Sequence, residues 1–210
     1  MKIEYFGHSC FRLTDCFGQS LLTDPYTGIG YELPKDLVAD IVSLSHSHYD
    51  HNAVHLIKHT NCVKEVENRQ IGNIALFGID SFHDEMGGSL RGKNIVYKMQ
   101  MDGINCCHLG DLGEPCNSAL LEKIGEVDIL FIPIGGRYTI DSDEAKTYIR
   151  AIQPKIVIPM HYKTADGMID ISKPERFLKA FDKVERVGNT YIVNKEELIN
   201  HETKVVFMEK

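Results

Sequence analysis

The sequence predicts a mixed α/β (α+β) fold on three observations: a β-rich opening half, strands alternating with helices in the second half, and chemistry-bearing residues concentrated where strands end. Short apolar or alternating runs mark strands near Lys2 to Phe6, Cys10 to Thr14, Ser20 to Thr23 and Asp40 to Leu44. Further strands are expected at Gln70 to Ala75, Ile95 to Met101 and Ile104 to His108. Asp128 to Ile134 reads as a continuous buried strand, and Ser142 to Ile152 as a capped amphipathic helix. Asp143 and Glu144 sit in its first turn, where the helix dipole favours negative charge, and Pro154 ends it. Lys155 to Met160 is the next strand. A helix near Pro174 to Phe181 then precedes strands near Thr190 to Val193 and Lys204 to Met208. A helix is also expected from about Asn52.

The 210 residues, 43% of them hydrophobic, suffice to bury one core, and no linker, repeat or low-complexity segment divides them, so residues 1–210 are read as a single domain. The longest apolar run, Val127 to Ile134, falls far short of the roughly 18 to 20 residues a membrane span needs. Met1 to Phe6 has no signal-peptide pattern, and the expected location is cytoplasmic. A formal charge of −7 disfavours nucleic acid as a partner. The sequence prescribes no oligomeric state. Six cysteines, at positions 10, 16, 62, 106, 107 and 116, form no C-x-x-C pair and are expected as free thiols. No nucleophile elbow, P-loop or dinucleotide fingerprint occurs.

What remains is metal chemistry. His46-Ser47-His48-Tyr49-Asp50-His51 follows the apolar run from Asp40 and puts four ligand-type residues into six positions. Alternate residues of an extended segment project to one side, so His46 and His48 can reach one ion, while Asp50 and His51 turn toward a second. Further ligands are needed at later strand ends: His108 and Asp111 follow Ile104 to Cys107, and His161 follows Ile156 to Met160. His51, His55 and His59 recur every four residues, but position 56 is Leu56 rather than the Glu of a zincin helix, so His55 and His59 are read as a helix face. His201 has no partner pattern.

With these pieces the sequence resembles the metallo-β-lactamase superfamily, in particular the small metal-dependent hydrolase-like proteins related to ascorbate-6-phosphate lactonase. The resemblance spans nearly the whole chain and is carried by Gly7-His8-Ser9-Cys10-Phe11, Leu21-Leu22-Thr23-Asp24-Pro25, the histidine-rich hexapeptide, Ser81-Phe82-His83-Asp84, His108-Leu109-Gly110-Asp111, Ile132-Pro133-Ile134-Gly135-Gly136 and Ile158-Pro159-Met160-His161-Tyr162. It implies a four-layer αββα sandwich with the metals at the strand ends. It also implies that His46, His48 and His108 hold a first metal and Asp50, His51 and His161 a second, with Asp111 between them and Asp24 orienting a ligand histidine.

The expected chemistry is hydrolysis by a metal-bound hydroxide at a mono- or dinuclear site, with zinc favoured and manganese or iron as alternatives. The second histidine of the motif, where flavodiiron members of the superfamily carry glutamate, speaks against a redox di-iron site. Asp50 is expected to orient the water, and His83 or His8 to protonate the leaving group. Arg91 and Arg137 are candidates for neutralising a substrate anion, and Tyr138 for hydrogen bonding to it. The expected substrate is a small ester, lactone or phosphodiester, of phosphorylated or acidic character. The alternatives are a non-catalytic metal-binding or signalling protein and a ribonuclease-type phosphodiesterase.

Overall fold

The structure, a computed structural model, describes residues 1–199 and 202–210, so His201 lies outside the described residues. Among the described residues, fourteen strands form two sheets. The first runs in the order β13 (Thr190–Ile192), β1 (Lys2–Gly7), β2 (Cys10–Thr14), β3 (Ser20–Thr23), β4 (Ile41–Ser43) and β5 (Asn61–Val63). The second runs β12 (Val184–Val187), β14 (Lys204–Met208), β11 (Ile156–Met160), β10 (Ile129–Pro133), β9 (Ile104–His108), β8 (Lys93–Met101), β7 (Ile74–Phe82) and β6 (Asn68–Ile71).

Within the first sheet β1, β2 and β3 pair antiparallel and β3, β4 and β5 parallel. In the second sheet β9, β10, β11, β14 and β12 are parallel, while β6 to β9 form an antiparallel meander. The α-helices α1 (Ser118–Ile124), α2 (Ser142–Ile152) and α3 (Glu175–Leu178) connect strands of the second sheet. Two sheets with helical connections make the predicted αββα sandwich, with sparse helical layers.

Strand alternation divides the apolar residues between two clusters. Leu21 and Ile41 join Ile3, Tyr5, Leu13, Val96, Ile104 and Leu130 in the main core, which draws on both sheets. Their neighbours Leu22 and Val42 turn the other way, into a second cluster with Tyr26, Ile29 and Ile57. Burial on both faces explains why β3 and β4 read as unbroken apolar runs.

Helix α2 falls where the sequence places it, with Asp141 as its N-cap. Asp141 and Glu144 form a reciprocal capping box that satisfies amides at the helix start, a device worth about 1 kcal/mol. Three expectations need correction. Gln70 to Ala75 is not one strand but the β6–β7 hairpin turn. The helix from Asn52 is only a 3₁₀ turn at Val54–Leu56, so His55 and His59 share no helical stripe. The final helix shrinks to α3, and β5, α1 and β12 are additions. All six cysteines are free. No helix among the described residues is long and apolar enough to cross a membrane.

Candidate metal centre

Strand ends from both sheets converge at one edge of the sandwich. The loop after β4 carries His46 to His51, the β1–β2 turn carries His8, and Asp24 follows β3. From the second sheet come His83 after β7, Asp111 after β9 and His161 after β11. Two of these histidines, His8 and His161, have left-handed backbones, with φ of 54° and 51°. That conformation costs a non-glycine residue on the order of 1 kcal/mol and is held where surrounding contacts over-determine it. The amide of His161 donates to the carbonyl of His8 at 3.1 Å, tying the two turns together. Gly110, at φ 56°, allows the chain past β9 to run against Asn94 and Ser45, where a Cβ would overlap the Asn94 side chain.

Three groups of donor atoms result, each gathered within 4.8 Å: His46, His48 and His83; His8, Asp50, His51 and His161; and His46, His51 and Asp111. Asp111 links them. Its Oδ2 lies 3.3 Å from His83 Nε2 and 3.1 Å from His161 Nε2, and its Oδ1 lies 3.1 Å from His51 Nε2. The structure therefore brings His46, His48, Asp50, His51, Asp111 and His161 together.

His108 is the correction among the ligands. It is the last residue of β9, and its ring turns inward between the sheets, where Nδ1 accepts from the Gly110 amide at 3.2 Å and Nε2 pairs with the Ser9 carbonyl at 3.0 Å. With both ring nitrogens used, no lone pair is left for an ion, and His83 stands beside His46 and His48 instead. His83 and His8, expected as proton donors, each also offer a donor atom to one of these groups.

Asp24 sets the tautomers of two histidines. Its Oδ2 accepts from His51 Nδ1 at 2.9 Å and from the Ser45 hydroxyl at 2.6 Å, and its Oδ1 from the Ser45 amide at 2.7 Å. Because the Ser45 proton goes to Asp24, Ser45 Oγ accepts from His46 Nδ1 at 2.9 Å. Nδ1 of each ring is thereby engaged, which leaves Nε2 to face the centre. Asn94, which the sequence did not signal, holds the far wall: its Oδ1 accepts from the Asp111 amide at 2.9 Å, and its Nδ2 bonds the Ser81 hydroxyl and the Leu109 carbonyl.

The electrostatics call for a cation. Burial first, and then neighbouring imidazoles, push His46 down to about 3 and His8 to about 4. Burial would raise Asp50 and Asp111, yet the facing histidines hold both carboxyls below the ordinary range. Burial also opposes charge on His51, but Asp111 and Asp24 outweigh it and lift that ring well above the usual imidazole value. Among the described residues, buried His46 Nε2, His51 Nε2 and Asp111 Oδ1 make no well-formed hydrogen bond. Unpaired buried donors and acceptors are costly, and divalent cations accept this nitrogen and carboxylate set, so the residues fit a metal centre.

A cleft of about 760 Å³ opens onto the group. His48, Asp50, His83 and Asp111 form its floor, and Tyr49, Arg91 and Tyr138 line its walls. Arg91 stacks over the Tyr138 ring at 4.4 Å, whereas Arg137 is ion-paired with Asp170. A surface hollow of about 800 Å³ elsewhere is lined by Lys183, Glu185, Glu202 and Lys204, which pair with one another, and it contains none of the donor cluster.

A family model described as the beta-lactamase superfamily domain matches residues 2–161. The chain belongs to the metallo-β-lactamase superfamily. A solved Thermotoga maritima structure of that superfamily, described as a candidate Zn-dependent hydrolase, superposes with a TM-score of 0.82 at 38% identity, covering 99% of this chain and 98% of that one. The UPF0173 metal-dependent hydrolase of Methanoregula boonei is 30% identical over 78% of this chain and 83% of its own. That of Thermococcus onnurineus is 26% identical over 88% and 94%. With these relatives, this metallo-β-lactamase-fold chain is a metal-dependent hydrolase, and its His/Asp cluster is the candidate metal site.

Proposed function

We propose that the chain hydrolyses a small anionic ester, lactone or phosphodiester at a dinuclear centre, with zinc as the metal. The observation that carries this reading is the convergence of six imidazoles and two carboxylates at and beneath the floor of the cleft, facing an arginine that has no carboxylate partner among the described residues. His46, His48 and His83 would hold one ion and Asp50, His51 and His161 the other, with Asp111 reaching both. A nitrogen-rich donor set suits zinc, and the Thermotoga maritima relative is described in those terms. When bound, such ions acidify water and polarise a carbonyl or phosphoryl oxygen.

The chain's own residues supply the rest. Asp50, ionised and open to the cleft, accepts a hydrogen bond from water and aims it at the substrate. Arg91, braced on Tyr138, receives the substrate's negative charge. Tyr49 stays protonated, because burial and then Asp50 push its phenol up, and it can donate a hydrogen bond to the leaving group in place of His83 and His8. The acidic overall charge favours a small molecule over a nucleic acid.

Elemental analysis of protein purified without chelator, followed by a screen of chromogenic phosphodiesters, lactones and thioesters, tests the reading. Two zinc equivalents and chelator-sensitive turnover of an anionic member are expected. Bound metal without turnover across all three classes would make the chain a binding module instead.

A further inference from the structure

His8 lies outside the seven ligands that the sequence suggests, yet its ring offers a donor atom within 4.8 Å of those of Asp50, His51 and His161. The group is well anchored. His8 comes from the first sheet and His161 from the second, their backbones are joined by the bond from the His161 amide, and their rings lie 4.2 Å apart. His8 Nε2 is 3.3 Å from Asp50 Oδ2.

The two sides of the centre also differ in access. His8, His51 and His161 are each no more than 1% exposed, and none of the three lines the cleft. His48 is exposed, and both it and His83 form part of the cleft floor.

We infer that the two metal positions are unequal, with His8 closing the deeper one as an added protein donor beside Asp50, His51, His161 and the shared Asp111, and the position of His46, His48 and His83 left open toward the cleft. This rests on the metal reading of the site proposed above. Metal sites surrounded by protein donors serve as held, structural positions, whereas catalytic positions keep a place free for water or substrate. A divalent ion held by three imidazoles that do not reach the cleft is bound more tightly than one whose donors include the exposed His48. The deep position therefore fills first and exchanges slowly, and the cleft position fills second and meets the substrate.

The test is stepwise loading of chelator-stripped full-length protein with Zn²⁺ against a chromophoric chelator, and with Co²⁺ followed by its visible absorbance. Wild type should take up two equivalents with affinities differing by roughly tenfold or more. His8→Asn and His8→Gly both tolerate the left-handed backbone of position 8. In either variant the tight step should weaken by roughly tenfold or more and the Co²⁺ spectrum of the first equivalent should change, with the weaker step preserved. His48→Ala should remove the weaker step alone.

If the position-8 variants match wild type in far-UV circular dichroism and keep both the tight step and its spectrum, His8 is only a hydrogen-bond partner of Asp50 and the inference falls. Two steps of equal affinity in wild type would also overturn it while leaving the metal reading intact. No uptake at all would overturn both.

Discussion

Nε2 of His108 lies 3.0 Å from the carbonyl oxygen of Ser9, a bond from the second sheet to the first beneath the metal centre. Since Nδ1 of the same ring accepts from Gly110, Nε2 carries the proton and is the donor to Ser9. His108→Ala strands two buried backbone groups, each costing about 1 to 3 kcal/mol, and opens a cavity as well. A loss of about 3 to 5 kcal/mol in urea unfolding of the metal-free protein is expected, with the metal content of the folded variant unchanged. His83→Ala should show the reverse, losing one metal equivalent with little change in stability. Normal stability and missing metal in the His108 variant would restore His108 as a ligand.

The contrast between these two histidines shows where sequence reading runs out. Both stand at a strand end and near an aspartate, so residue type and spacing could not rank them. What separates them is direction, because His108 still belongs to β9 and turns into the core, whereas His83 lies just past β7 and faces the cleft. That is a property of sheet register, which no local pattern carries. Helix α2 was legible because its cap, first-turn charges and terminating proline agree with one another. The four-residue β12 and three-residue β5 offered too few residues for a period, and the 3₁₀ turn after Asn52 imitated the opening of a helix. The hexapeptide His46 to His51 was readable because its ligands are close in the chain. Asn94 was not, since its role exists only once β8 lies against the loop of Asp111.

Asp24 acts on the centre at one remove, through His51 directly and through Ser45 on His46. Asp24→Asn keeps the volume but presents an amide where two hydrogens converge, freeing the rings to adopt the wrong tautomer. Metal affinity should fall by roughly 10- to 100-fold in a chelator competition, the range found when partners of ligand histidines are removed. Ser45→Ala should weaken binding less, because His51 keeps its bond to Asp24. Equal affinities in wild type and Asp24→Asn would mean that packing alone orients the rings.

At the other end of β1 an ion pair makes a pH-dependent contribution. Burial pushes Glu4 upward, but the guanidinium of Arg12, on the neighbouring strand at 2.9 and 3.0 Å, together with Lys2, holds its carboxyl below the ordinary 4.5. A depressed folded value means that the stabilisation is complete above 4.5 and is lost as pH falls through the folded value. Glu4→Gln should therefore cost about 0.5 to 1 kcal/mol at neutral pH in metal-free protein, and wild type and variant should converge as the pH falls below the folded value. A gap that is constant with pH would assign the effect to packing rather than charge.

Arg91 is the residue on which substrate charge should depend. Its backbone amide is one of four, with those of Met86, Gly88 and Leu90, that the Asp84 carboxylate accepts, so the loop immediately after His83 is fixed before any ligand arrives. The guanidinium leans on Tyr138 and lines the cleft with no acid beside it among the described residues, while the charge of Arg137 is already spent on Asp170. A charge-assisted hydrogen bond is worth about 1.5 to 3 kcal/mol, so Arg91→Ala should lower kcat/KM for anionic substrates by roughly 10- to 100-fold. Neutral analogues of the same leaving group should be turned over at near wild-type rates, and Arg137→Ala should leave both classes alone. Added inorganic phosphate should inhibit wild type more strongly than Arg91→Ala. An Arg91 variant that slows neutral and anionic substrates alike would show that the arginine shapes the cleft without reading charge, and would remove the ground for an anionic substrate.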